Sequence, residues 1–170
     1  MSLSINRKIF DRVKTAITGE GRINMLSWVE SRDSVTAESV DEIRELPLLG
    51  GCQTTACIGG MVCHLATSQE IARAAEIYGL SDDDLHDPFT LSAALLLNGA
   101  EDKYELESAC LPLFSLTHWP PEEQSSYDAS QTDGERNQVV LRRMDDWAAE
   151  IEARQSARIP GGRDGDSRCG

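Results

Sequence analysis

The segment Ala56-Cys57-Ile58-Gly59-Gly60-Met61-Val62-Cys63-His64-Leu65-Ala66 is apolar or small on nearly every side. A helix made from it has no face suited to water, so it must be enclosed by neighbouring elements. This is the expected central helix, and either Thr54 or Thr55 can serve as its N-cap. Ala56, Gly60, Cys63 and Thr67 recur at spacings of four, three and four and form a stripe of small side chains that another helix can approach closely. Two glycines inside a helix cost roughly 1 kcal/mol each relative to alanine, and close packing is what offsets that cost.

The rest of the chain supplies the enclosure. Ile5, Ile9, Val13 and Ile17 lie four apart with Phe10 beside them, the period of an amphipathic helix that Gly19 and Gly21 end. Met25 and Trp28 belong to a second packing element, and the polar stretch from Ser31 to Glu45 reads as an exposed connection with a short helix over 37–46. Ser68 opens a helix that turns Ile71, Ala74, Ala75 and Tyr78 to the core and stops at Gly79. Ser81 to Asp84 has the form of a capping box. Residues 91–97 are expected as a buried helix closed by Asn98-Gly99. Residues 101–120 form a mixed element whose apolar content is Tyr104, Leu106, Leu111, Leu113 and Phe114. Pro120-Pro121 and the polar stretch to Gly134 read as a loop.

Val140, Met144, Trp147 and Ile151 mark a long helix over 135–158, with surface pairs Arg142–Asp146 and Glu150–Arg154. No alternating strand pattern or internal repeat is present. At 170 residues the chain is long enough for one ordinary core. The expected fold is therefore mainly α, a compact single-domain helical bundle over residues 1–158 around the central helix. Residues 159–170, rich in Gly, Arg, Asp and Ser, are expected to be a disordered tail.

Charge narrows the classes of function. Sixteen Lys and Arg stand against 29 Asp and Glu, a formal net charge of −13, which opposes direct binding of nucleic acid through its phosphates. The asymmetry is local: residues 82–133 contain twelve acids and a single base, Lys103. That half of the surface should project a negative field. No apolar run approaches the ~18 residues of a membrane span and no secretory block opens the chain, so a cytoplasmic location without membrane contact is expected. The odd count of five cysteines then reads as reduced thiols.

The central segment carries residue types suited to two chemistries. Cys52, Cys57, Cys63 and His64 are zinc-ligand types, but in a helix starting near Ala56 the Cys57 and His64 positions are about 10 Å apart along the axis and Cys63 points roughly 120° away. No metal is therefore expected. Cys57 in the first helical turn also resembles an activated nucleophile, with His86 or His118 free to approach as the base from another segment and Cys57 with His118 as the alternative pair. This thiol-hydrolase reading competes with the simpler one, in which the sulfurs fill the core like alanine or serine. The Asp82–Asp84 run with Asp87 lacks the ligand spacing and central glycine of a calcium loop. Gly50-Gly51 and Gly59-Gly60 lack the context of a phosphate loop. No cofactor is expected. The His118-Trp119-Pro120-Pro121 cluster reads as an exposed aromatic edge for a partner.

Ile23-Asn24-Met25-Leu26-Ser27-Trp28 and Cys52-Gln53-Thr54-Thr55-Ala56-Cys57-Ile58-Gly59-Gly60 together resemble a family of small bacterial and bacteriophage proteins. Its members show N-M-x-x-W, then C-G-T-x-x-C-I-A-G, a helix ending in Gly-Leu, then L-F and W-P. The later parts have counterparts at 75–80, Leu113-Phe114 and Trp119-Pro120. Gln53 departs from the usual glycine and Met61 from the usual tryptophan. The resemblance implies a compact helical fold and a phage or mobile-element setting inside a bacterial host cell, without an enzymatic activity. The expected function is that of a small acidic accessory protein that binds another protein, such as a basic nucleic-acid-binding or host-defence complex, through a phosphate-like face. Its expected contributors are Asp82, Asp83, Asp84, Asp87, Glu101, Asp102, Glu105 and Glu107, with Trp119 at the edge.

Overall fold

The computed structural model describes residues 3–19, 23–25, 29–30, 36–37, 39–46 and 55–157. Five two-residue strands and a set of helices follow one another as β1 (Ser4–Ile5), α1 (Arg7–Thr18), β2 (Val29–Glu30), β3 (Thr36–Ala37), α2 (Val40–Glu45), β4 (Thr55–Ala56), α3 (Ile58–Leu65), α4 (Ser68–Tyr78), α5 (Asp82–His86), α6 (Pro88–Leu96), β5 (Leu97–Asn98), α7 (Lys103–Phe114), a 3-10 turn (Leu116–His118), α8 (Pro121–Ala129) and α9 (Asp133–Ala157). The fold is a mainly α bundle with one contiguous hydrophobic core. The strands are fasteners between helices. β1 pairs antiparallel with β5, Ile5 opposite Leu97, and β2 lies between β3 and β4.

The central position of α3 follows from its sequence. Ile58 through Cys63 are all buried, and α1, α2 and α6 pack around the helix. Its partner α6 is buried along its whole length from Pro88 to Leu96, apart from the partly exposed Phe89. The two apolar rods therefore lie together at the centre, joined where the Cys63 thiol donates to Pro88 O at 3.6 Å. Burying such side chains favours folding by roughly 1.5–3 kcal/mol each. The last carbonyls of α3 would be orphaned inside the protein, and two arginines meet them: Arg12 donates to Leu65 O at 2.9 Å and Arg44 to Ala66 O at 2.7 Å. Positive charge at this end also complements the helix dipole.

The outer helices show the expected faces. Ile9, Phe10, Val13 and Ile17 of α1 are buried, and Phe10 stacks on Trp147 of α9 with centroids 6.2 Å apart. Trp147 Nε1 donates to Ala109 O of α7 at 2.8 Å. Val140, Met144, Trp147 and Ile151 form the buried stripe of α9. Gly79 ends α4 in the left-handed conformation, φ 60°, which glycine adopts without steric cost.

Several local expectations need correction. Thr55 lies in β4 and α3 starts at Ile58, two residues later than expected, with Cys57 rather than a threonine as N-cap; Thr54 lies outside the described residues. Ser68 opens α4 as expected, and Thr67 before it is the cap, in a full capping box with Glu70. The buried helix near 91–97 begins at Pro88, because Asp87 accepts from the amides of Phe89 and Thr90 and proline at N1 has no amide to leave unsatisfied. The stretch after Pro120 is helix α8 rather than a loop. Pro121 takes the same N1 role, and Tyr127 anchors the helix by accepting from Met25 N at 2.8 Å. Arg143, buried in α9, takes Glu150 at 3.1 Å in place of the expected Glu150–Arg154 pair. Trp28, Cys52, Gln53, Cys169 and the expected tail over 159–170 lie outside the described residues. Among the described residues no helix is long and apolar enough to cross a membrane.

Candidate functional site

The acids singled out from the sequence come from two separated stretches, 82–87 and 101–107, and the fold brings them to one face. Lys103 Nζ at the start of α7 donates to Asp84 Oδ1 of α5 at 2.9 Å. Thr90 Oγ1 of α6 donates both to Asp87 Oδ2 at 2.6 Å and to Glu107 Oε1 of α7 at 2.8 Å. The N-terminal ends of α5, α6 and α7 are thus tied side by side. Carboxylates belong there for a local reason, since they meet the unsatisfied amides of a first helical turn.

That local reason divides the eight acids. Asp84 completes the α5 capping box with Ser81, Asp87 caps α6 and Asp102 caps α7. Glu105 accepts from Glu101 N at 2.8 Å, and Glu107 holds Thr90. Lys103, followed by the Ser81 amide and hydroxyl, pulls the Asp84 carboxyl down to about 2. Asp82, Asp83 and Glu101 are exposed and take no such bond within the described residues. These three give the face its outward charge, and the other five hold it in shape.

One apolar residue of this stretch stands outside the core. Tyr104 belongs by sequence to the apolar content of the 101–120 element, and it is 71% exposed between Lys103 and Glu105. Beside it, Glu105 and Ser108 border a cleft of about 420 Å³ that runs to Leu3, Ala109 and Arg154. An exposed tyrosine within a charged rim, next to a part-apolar cleft, is the composition of a protein interface. Its position two before the buried Leu106, on the opposite face of a helix, was the signal that could have indicated exposure, but only together with the register of α7.

Trp119 requires the opposite correction. It is 3% exposed, its Nε1 donates to Leu113 O at 3.2 Å, and its ring meets Tyr127 edge-on at 5.8 Å. A satisfied indole packed on a neighbouring aromatic is a core residue, so it does not form an exposed binding edge.

The central thiols are likewise internal. Cys57, Cys63 and Cys110 are free and buried. Cys57 Sγ accepts from Gly60 N at 3.3 Å as the cap of α3. Burial pushes its thiol up to about 11, against the opposing pull of the first-turn amides. Burial raises Cys63 and Cys110 as well. The histidines are engaged elsewhere: His64 Nδ1 donates to Ile43 O at 3.2 Å, His86 lies 3.2 Å from Asp41, and His118 Nδ1 lies 3.1 Å from Ser115 Oγ. The alternative pair Cys57 and His118 is therefore not joined by a hydrogen bond. Among the described residues no three His, Cys, Asp or Glu side chains converge as metal ligands. Compared with family models, curated proteins and solved structures, the chain matches none.

Proposed function

We propose that this is a small acidic accessory protein that works by binding another protein, occupying a basic groove of a nucleic-acid-handling or host-defence complex in the phage setting implied by the sequence resemblance. One observation carries the reading. The acids of 82–87 and 101–107 are tied into a single face around the exposed Tyr104, with one lysine among them, and that lysine is already committed to Asp84. Fixed carboxylates present a preorganised negative surface, and electrostatic complementarity of this kind steers encounter with a basic partner. Tyr104 adds the aromatic contact that charge alone does not supply.

The test is capture of a partner from bacterial host extract by the full chain and by a variant carrying Asp82→Lys, Asp83→Lys and Glu101→Lys. The three substitutions leave every capping carboxylate in place. A captured basic, nucleic-acid-binding protein that is lost from the reversed variant, and displaced by added duplex DNA, supports the reading. Capture that survives both the reversal and high salt overturns it, because an exposed electrostatic contact is screened.

A further inference from the structure

We infer that the cleft between α1, α4 and α6 is a binding site for a small organic anion, a carboxylate or phosphate monoester carried on an apolar body, with Arg73 and Lys8 as its cationic partners. It borders the acidic face where Tyr78 feels the charge of Glu105, but it uses different residues and does not depend on the function proposed above. The cleft encloses about 260 Å³, just below the ~300–1,000 Å³ of pockets for drug-sized ligands. Ile9, Ala74 and Leu95 contribute apolar lining, Ile77 stands 55% exposed, and Arg73 and Lys8 supply positive charge.

Charge at this place runs against the whole molecule. Glu70 also lines the cleft, but its carboxylate is held by both guanidinium nitrogens of Arg12, at 2.9 and 3.0 Å, and by Lys8 Nζ at 3.0 Å. Of the charged groups that line the cleft, Lys8 and Glu70 offset one another, and Arg12 binds Glu70 from outside the lining, so Arg73 is left as uncompensated positive charge. Among the described residues Arg73 takes part in no ion pair. A local cationic excess beside an apolar floor, on a chain of net charge −13, is the arrangement that selects an anion with a hydrophobic body over a bare ion or a neutral compound. The N-terminal end of α1 reinforces it. Asn6 gives α1 no side-chain cap, its first turn holds no acid, and the Asn6 amide donates to Leu95 O at 2.9 Å instead. The positive end of that helix dipole is therefore not neutralised from its own chain.

The experiment is a titration of the full chain followed by backbone amide NMR, with phenyl phosphate and phenylacetate as probes and inorganic phosphate and benzyl alcohol as comparisons. Saturable shifts confined to Asn6, Lys8, Arg73, Ile77 and Asn98 are expected with an organic anion, and the anion that saturates first identifies the headgroup. Arg73→Gln should weaken that binding about tenfold or more, the loss of a charge-assisted contact. Arg73 is exposed and unpaired, so the rest of the spectrum should be unchanged; Lys8→Gln gives an independent variant. The inference is overturned if neither organic anion gives saturable shifts in the millimolar range, if benzyl alcohol or inorganic phosphate binds as tightly, or if both variants bind like the parent.

Discussion

Lys103 Nζ and Asp84 Oδ1 lie 2.9 Å apart and tie the first turn of α7 to the first turn of α5. The pair commits the only base among residues 82–133 to an internal contact. Replacing Lys103 by Met removes the main cause of the low Asp84 carboxyl and leaves only the Ser81 bonds. The Asp84 carboxyl, followed by NMR against pH, should titrate higher than about 2 in Lys103→Met, and capture of a basic partner should be equal or stronger. Weaker capture would mean that the position of α5 against α7, rather than charge, is what the partner reads.

Glu70, in the first turn of α4, gives the bundle a second acid-sensitive contact. The Arg12 guanidinium, followed by the Thr67 amide and Lys8, holds its carboxyl well below the ordinary glutamate range. A depressed carboxyl contributes stability that is full above the unfolded-state value and is lost as pH falls through the folded value. Glu70→Gln keeps a cap for Thr67 N but loses the charge. Urea unfolding at neutral pH should show a loss of about 1–2 kcal/mol, and the gap from the parent should close as pH drops below the glutamate range.

Glu123 acts with the reverse sign. Burial raises its carboxyl, Arg143 at 3.8 Å opposes the rise, and Asp146 and Glu150 of α9 add to it. An acid raised in the folded state contributes stability below its unfolded value that disappears as pH climbs through the folded one. Arg143 is itself buried and retains Glu150 at 3.1 Å and Pro112 O at 3.2 Å. Glu123→Gln should therefore be at least as stable as the parent at neutral pH, by up to about 1 kcal/mol. Its stability should also fall less between mildly acid and neutral pH, as read from urea midpoints.

Tyr127 shows why α8 depends on a contact far away in sequence. Its hydroxyl oxygen accepts from Met25 N at 2.8 Å, within the core. Tyr127→Phe keeps the edge-on contact with Trp119 and leaves a buried amide unsatisfied, which costs about 1–3 kcal/mol. Amide exchange should accelerate at Met25 and along α8 while α3 and α6 remain protected.

Legibility of the fold from sequence follows the range of the deciding contacts. Helices α1 and α9 carry long apolar periods, and α3 is apolar all round, so each reports its own environment. Helix α8 has polar composition and one buried anchor, and the Met25 contact that holds it cannot be seen from residues 121–129. Two-residue strands are too short to have a period. Trp119 reads as exposed because its neighbours are proline and histidine; only the reach of its indole to Leu113 O, across the 3-10 turn, puts it inside. The acidic stretches were legible as composition, while their union at α5, α6 and α7, and the outward turn of Tyr104, depended on packing.

Cys57 caps α3 with sulfur where oxygen is the common choice. Its Sγ accepts from Gly60 N at 3.3 Å, so Cys57→Ser should preserve the cap with a change within about 1 kcal/mol, whereas Cys57→Ala should lose about 1 kcal/mol. With the thiol near 11, roughly one molecule in ten thousand is thiolate at pH 7. In a background of Cys52→Ser and Cys169→Ser, an aromatic disulfide reagent at neutral pH should therefore leave Cys57, Cys63 and Cys110 untouched in the native protein, and all three should react together once urea unfolds it. Fast reaction of one native thiol, abolished by Cys57→Ser, would mean that Cys57 is reached by solvent and activated, and would return the thiol-hydrolase reading to the front.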